Sequence, residues 1–179
     1  LIYRNYAKDY LSFYGDAFAE SSTRNEKGIY LGTEIYPIRN WKISAYYDNY
    51  QFPWLRYNVD APSYGNDYLV QVDFIPTRRF TMYMRYKDEQ KIISLNQENF
   101  NNEKLDINIV RKLRYHVNYI VSEQVQLKSR IEFSFFEEAE EDDTGYMIYQ
   151  DVQYRSLKWP LVLNFRFAVF DTESFSTAI

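Results

Sequence analysis

His116 is the only histidine of the chain, and it alternates with Arg114 and Asn118 while the following segment carries Ser129, Glu132 and Ser134. Serine, histidine and an amide or carboxylate are the parts of an acyl-transfer site, in which imidazole takes the hydroxyl proton and the third group holds the ring. That chemistry also needs a nucleophile motif on a sharp turn, and none surrounds these serines. On a strand wall acting on phospholipid, the triad would further have to face lipid. His116 therefore reads as a solvated or hydrogen-bonded side chain, and no catalytic residue is expected.

Two other sets of charged residues could do chemistry. The acidic run "EEAEEDD" (137–143) offers carboxylates to a divalent cation, but it lacks the Asp-x-Asp-x-Asp-Gly order of a calcium loop. It reads as a solvated loop tip, with cation bridges to lipopolysaccharide as a looser role, and no specific metal site is expected. Arg85, Lys112, Arg114, His116, Lys128, Arg130 and Arg166, with Asp73, Glu132 and Asp151, recur at alternate positions. They suit either a selective pore or a ladder of opposite charges across neighbouring strands. The mixed signs favour the ladder. Gly-rich phosphate loops and metal-ligand spacings are absent, so no cofactor is expected.

The elements that must carry these residues are strands. In "RKLRYHVNYIVSEQVQLKSRIEFSF" (111–135), apolar and polar residues alternate on both sides of Ser122-Glu123, the pattern of two strands and a tight turn. The same period recurs at about 28–36, 41–50, 67–75, 80–88, 108–121, 124–136, 146–156 and 161–170, with a weaker segment near 11–20. Helical periodicity is absent. Most segments exceed an ordinary globular strand and approach the length that a tilted strand needs to cross a bilayer.

The connections differ by length in turn. "PIRN" (37–40), "PTR" (76–78), "SE" (122–123) and "LKWP" (157–160) are short. "SSTRNEK" (21–27), "QFPWLRYNVDAPSYGN" (51–66), "EQKIISLNQENFNNEKLD" (89–106) and "EEAEEDDT" (137–144) are long. An antiparallel meander then has its turns at one end and its loops at the other, as outer-membrane barrels do. Of the long loops, the one with Phe52, Trp54 and Leu55 is too apolar for a free tip, and is expected to plug the interior, pack on the rim or meet a partner protein.

One face of each segment carries no charge: for example Leu113, Tyr115, Val117 and Tyr119, or Leu161, Leu163, Phe165, Phe167 and Val169. The opposite face holds the charges named above. Charge in hydrocarbon costs about 2–4 kcal/mol per Lys or Arg at mid-membrane, so the clean face is the one assigned to lipid. Trp41 and Trp159 border short turns, where interfacial aromatic girdles lie. A half-buried soluble sheet would use the same alternation with the apolar face as its core, so a soluble up-and-down barrel binding an apolar ligand is the alternative.

Composition is consistent with the membrane assignment. Aromatics make up 20% of the 179 residues, led by 19 tyrosines, whose rings keep one end dry and one wet. Mean hydropathy is −0.55, and no stretch reaches the roughly eighteen apolar residues of a membrane helix; strands escape that test because only every second residue meets lipid. A net charge of −4 argues against nucleic acid as a partner. With no cysteine, disulfides and thiolate sites are excluded.

The runs "NEKGIYLGTEI" (25–35), "FPWLRYNVDAPSYGNDYLVQ" (52–71), "KSRIEF" (128–133), "GYMIYQDVQYRS" (145–156) and "NFRFAVFDTESF" (164–175) carry a resemblance. The chain resembles the barrel region of large Bacteroidota outer-membrane proteins that carry helix–hairpin–helix motifs upstream of the barrel. The resemblance covers most of the chain and implies location and fold more than activity. The helix–hairpin–helix part is not in this sequence, which suggests a segment truncated at both ends.

The expectation is an all-β, antiparallel up-and-down transmembrane barrel segment in one domain (1–179), with eight or nine strands of a larger barrel. It would sit in a bacterial outer membrane among lipid, lipopolysaccharide and other outer-membrane or periplasmic proteins. It would serve as a translocation pore component or a membrane anchor, not as an enzyme; a barrel-embedded lipid hydrolase is the remaining alternative.

Overall fold

The computed structural model describes residues 1–10, 18–20, 24–55, 59, 61–95, 104–138 and 141–173. These form nine strands: β1 (Ile2–Tyr6), β2 (Glu26–Ile35), β3 (Trp41–Phe52), β4 (Ser63–Thr77), β5 (Phe80–Leu95), β6 (Lys104–Ile120), β7 (Val125–Glu138), β8 (Glu141–Arg155) and β9 (Val162–Thr172). They make one antiparallel sheet in chain order, β1 to β9, in which each strand pairs with its sequence neighbours. Among the described residues β1 and β9 do not pair with each other, so the sheet is open.

The short turns share a device. The hydroxyls of Thr77, Ser122 and Ser156 each accept the backbone N–H groups two and three residues onward, at 3.1–3.3 Å. A hydroxyl in this position mimics a backbone turn and fixes where the chain reverses. The turn between β2 and β3 uses Asn40 instead, at φ 72°, a left-handed conformation that asparagine tolerates.

The opposite end departs from expectation. Strands continue past the apolar segments, so Glu137 pairs with Asp142 and Glu138 with Glu141. The described part of the acidic run is thus strand, and only residues 139–140, outside the described residues, separate β7 from β8. Local charge repulsion is offset because Arg111 meets Glu137 and Asn108 donates to Glu138 at 3.0 Å. The separation of long from short connections is therefore incomplete. Phe52 likewise belongs to β3 and residues 63–66 to β4. The weak segment near 11–20 does not appear as expected: Phe18–Glu20 are not strand, and 11–17 lie outside the described residues. The first strand is instead Ile2–Tyr6, five residues long and too short to register as a period.

Register places Asp73, Arg85, Lys112, Arg114, His116, Lys128, Arg130, Glu132, Asp151 and Arg166 on one face. Along the other run continuous rows, such as Val72–Met84–Tyr115–Ile131–Ile148–Val169. This apolar face is the open one: Met84 is 53% and Phe167 62% exposed. On the charged face Glu132 and Ser134 are 1% and 0% exposed. Burial is thus inverted relative to a soluble sheet, whose apolar side is sheltered.

Midway along its strands the apolar face contains a polar pair. Ser129 and Gln150 are direct cross-strand partners and bond to each other, while Gln150 also donates to the backbone oxygens of Lys128 and Asp151 at 3.2 and 2.9 Å. Their polar groups satisfy one another, so neither interrupts the band with an unpaired donor or acceptor.

Close packing on the charged face depends on Gly65. A Cβ there would lie 2.6 Å from the Tyr50 ring and 2.7 Å from the Gln90 carbonyl oxygen, and Tyr50 is 1% exposed, with no room to move. Gly65→Ala is expected to lower the unfolding free energy by about 1–3 kcal/mol, measured by denaturant unfolding in detergent micelles. An unchanged transition would show that Tyr50 is not fixed.

Candidate functional site

The charged face is held by pairs set by register. Arg114 and Glu132 are directly opposite on β6 and β7, and the guanidinium grips the carboxylate through two bonds of 2.7 and 2.6 Å. Arg166 and Asp151 repeat this on β9 and β8 at 2.6 and 2.8 Å. Diagonal pairs join Lys42 to Glu34 (3.0 Å) and Lys87 to Asp67 (3.2 Å). Bidentate, charge-assisted bonds of this kind are the strong ones. At the turn end of β2, the Tyr36 hydroxyl donates to Glu34, and that bond to a carboxylate pushes the phenol above its ordinary pKa.

Sequence reasoning missed a second cluster. Arg4 of β1 reaches across Gly28 to bond Glu26 and, at 2.8 Å, Asp48 of β3. A Cβ on Gly28 would fall 2.7 Å from the Arg4 guanidinium carbon, so only glycine leaves the passage open. Phe18 and Tyr50 cover the cation, at 5.3 and 5.9 Å from ring centre to guanidinium. The two carboxylates fall on the charged face by parity alone, but the cation comes from an element too short to predict.

The remaining candidates differ in what they touch. His116 stacks on Tyr83 with ring centres 5.1 Å apart, and its direct cross-strand partner is Arg130. Ser129 lies on the opposite face. Ser134 pairs with Lys112, four residues along β6 from His116 and so roughly 13 Å away. The serines and the histidine are not assembled as an acyl-transfer site would require. Tyr149, unnoticed in the sequence, is buried between Arg130 and Arg166, at 5.1 and 4.5 Å from its ring centre; counting by twos from Asp151 places it there. Arg85 donates to Gln71 at 2.7 Å and lies over Tyr83. Arg85, Lys112, Lys128 and Arg130 form no ion pair with a described carboxylate. The charge ladder therefore holds Arg114, Glu132, Asp151 and Arg166 and leaves these four outside it.

The apolar face ends in a polar collar on the side away from the short turns. Asp88, 3% exposed, accepts from Arg111 at 3.1 Å and from Gln90 at 3.1 Å, and Arg111 also meets Glu137. Near the other end, Trp41 stacks on Phe74 with centroids 4.7 Å apart, and Trp159 stands exposed in its turn. In the loop, Phe52 is buried on the charged face while Trp54 and Leu55 are exposed. The loop is tied down at Asn25, whose amide donates to the Trp54 oxygen at 2.8 Å and accepts the Trp54 N–H at 2.9 Å. Among the described residues no three acidic or histidine side chains converge as metal ligands would.

No protein-family model, curated protein or solved structure matches the chain.

Burial grades the two bidentate pairs. Glu132 is sealed and Arg114 a quarter exposed, whereas Arg166 is more than half exposed. Glu132→Gln, which leaves the half-buried Arg114 guanidinium without its carboxylate, is expected to cost about 2–3 kcal/mol. Asp151→Asn is expected to cost less than about 1 kcal/mol. Equilibrium unfolding of both variants measures the difference, and equal losses would contradict the grading.

Proposed function

We propose that this sheet is the wall of a transmembrane β-barrel in a bacterial outer membrane, serving as part of a translocation pore or as a membrane anchor. The observation that carries the reading is the inverted burial: an apolar face, charged only at its collar, left open across the sheet, and a charged face that is more sheltered and largely paired internally. In water such an apolar surface is a large liability, and in hydrocarbon it is what the surroundings require.

The dimensions support the same reading. On β7 the apolar face runs from Val125 to Phe135, ten residues onward and so roughly 33 Å along the strand. At the usual tilt of about 40° this is roughly 25 Å in height, the apolar band of a membrane barrel. Trp41 and Trp159 would lie at one interface, and the Asp88–Arg111–Glu137 collar with Tyr68 and Tyr86 at the other. The short turns would be periplasmic. Lipid tolerates no unpaired sheet edge, so the free edges of β1 and β9 must be paired in the membrane, by each other or by further strands. The lipid and lipopolysaccharide contacts and the kinship with Bacteroidota barrels belong to this proposal, as does the absence of catalysis.

Ile131→Arg, at the centre of the apolar rows, is expected to weaken folding into phosphatidylcholine vesicles by about 2–4 kcal/mol. Ser44→Arg on the charged face should change it by less than about 0.5 kcal/mol. Vesicle flotation and urea titration read both. A chain that stays monodisperse, with its strand content intact, in buffer free of detergent would overturn the reading.

A further inference from the structure

We propose that the charged face over β5–β7 is a binding site for an oxyanion, the phosphate or carboxylate group of a small solute. The inference rests on the barrel reading only in that this face must be open to water.

Like charges are set directly opposite one another here. Arg85 faces Arg114 and Lys87 faces Lys112, while Arg130 lies opposite the neutral imidazole of His116. Cross-strand partners lie about 5 Å apart at Cβ, where like charges repel. Two of these cations have carboxylates: Arg114 is held by Glu132, and Lys87 is drawn to Asp67 and Glu89. Arg85, Lys112, Lys128 and Arg130 have none among the described residues.

The excess does not come from composition, because the whole chain is acidic. It comes from segregation. On β2–β4 the same face carries Glu26, Glu34, Asp48, Asp67 and Asp73 with Lys42 as its one cation. Across the sheet, β6 contributes Lys112 and Arg114 beside the neutral His116, and its one acid on that face, Asp106, lies six residues from Lys112, roughly 20 Å along the strand. A wall built only for stability would interleave the signs.

Unpaired polar atoms collect here as well. Among the described residues, His116 Nδ1, the Arg130 Nε–H donor and the hydroxyl of Ser134, which is wholly buried beside Lys112, have no partner. The free cations are half-buried, so their charge is less screened than in water. Tyr83 and Tyr149 hold the Arg85 and Arg130 planes by cation–π contact. An oxyanion supplies several acceptors and up to two negative charges at once, which a halide cannot, and arginine favours such bidentate partners.

The test is a titration of the chain refolded in zwitterionic detergent, with inorganic phosphate against potassium chloride at equal ionic strength. The expected result is a rise in unfolding midpoint with phosphate that chloride does not reproduce. Lys112→Gln is expected to be more stable than the parent without phosphate, because repulsion is relieved, and to bind phosphate roughly tenfold more weakly. Lys42→Gln, on the acidic side, should keep the full response. Equal shifts with both salts, or a Lys112→Gln variant that responds like the parent, would overturn the proposal.

Repeating the titration in phosphatidylcholine and in phosphatidylglycerol vesicles separates the sources of phosphate. Equal shifts support a solute, and loss of the shift only in the anionic vesicles would assign the site to a headgroup and overturn the solute reading. A phosphate shift in detergent with no vesicle insertion would remove the barrel reading and leave the anion site. Insertion without a phosphate-specific shift would do the reverse.

Discussion

A slip of one residue in any of the eight strand pairings would carry a row of charges onto the apolar face and a row of aromatics onto the charged one. The side-chain period of a strand is two, so register and sidedness are a single choice. Everything else in the sheet follows from keeping it. The hydroxyls of Thr77, Ser122 and Ser156 fix where three turns begin, and Arg114–Glu132 and Arg166–Asp151 are satisfied only in the native register. Even Ser129 and Gln150, polar residues on the wrong side, are tolerable only because register sets them opposite each other.

The sheltered side is held together by polar contacts more than by apolar burial. Withdrawing charges from water is expensive, and a buried pair repays it only with good geometry and complete hydrogen bonding. Arg4 meets that condition by bridging Glu26 and Asp48 over the bare backbone of Gly28, under Phe18 and Tyr50. Glu132 meets it through both of its oxygens. Tyr83 and Tyr149 do part of the same work for the guanidinium groups. Where these conditions lapse, over β5–β7, the unmatched cations form a surface of different character. Structure there is sustained by neighbouring strands rather than by the charges themselves.

The apolar side and the charged side therefore make complementary demands on the surroundings. One leaves Met84, Phe165 and Phe167 without a covering layer; the other gathers positive charge toward one half of the sheet and negative toward the other. In the proposed barrel, lipid would satisfy the first demand and an aqueous interior containing anions the second. The open edges of β1 and β9 add a third, since a strand that faces hydrocarbon must have its backbone groups paired.

Much of this was legible in the residues. Alternation located eight of the nine strands and assigned Arg114, His116, Lys128, Arg130 and Glu132 to a common face, because parity needs no knowledge of the partner strand. It failed for Ile2–Tyr6, which is too short to display a period, and for Glu137, Glu138 and Glu141–Asp143 of the acidic run, the first two of which are met by Arg111 and Asn108 on the neighbouring strand. Composition alone read the charges as a mixed ladder. Only the register showed Arg85 facing Arg114 and Lys87 facing Lys112, and showed His116 apart from its supposed serine partners. The sequence determined which side each residue faces, since that depends on a period of two along one chain. The tertiary structure decided which residues meet, which face is sheltered and where charge collects, because those depend on the register between strands that alternation cannot specify.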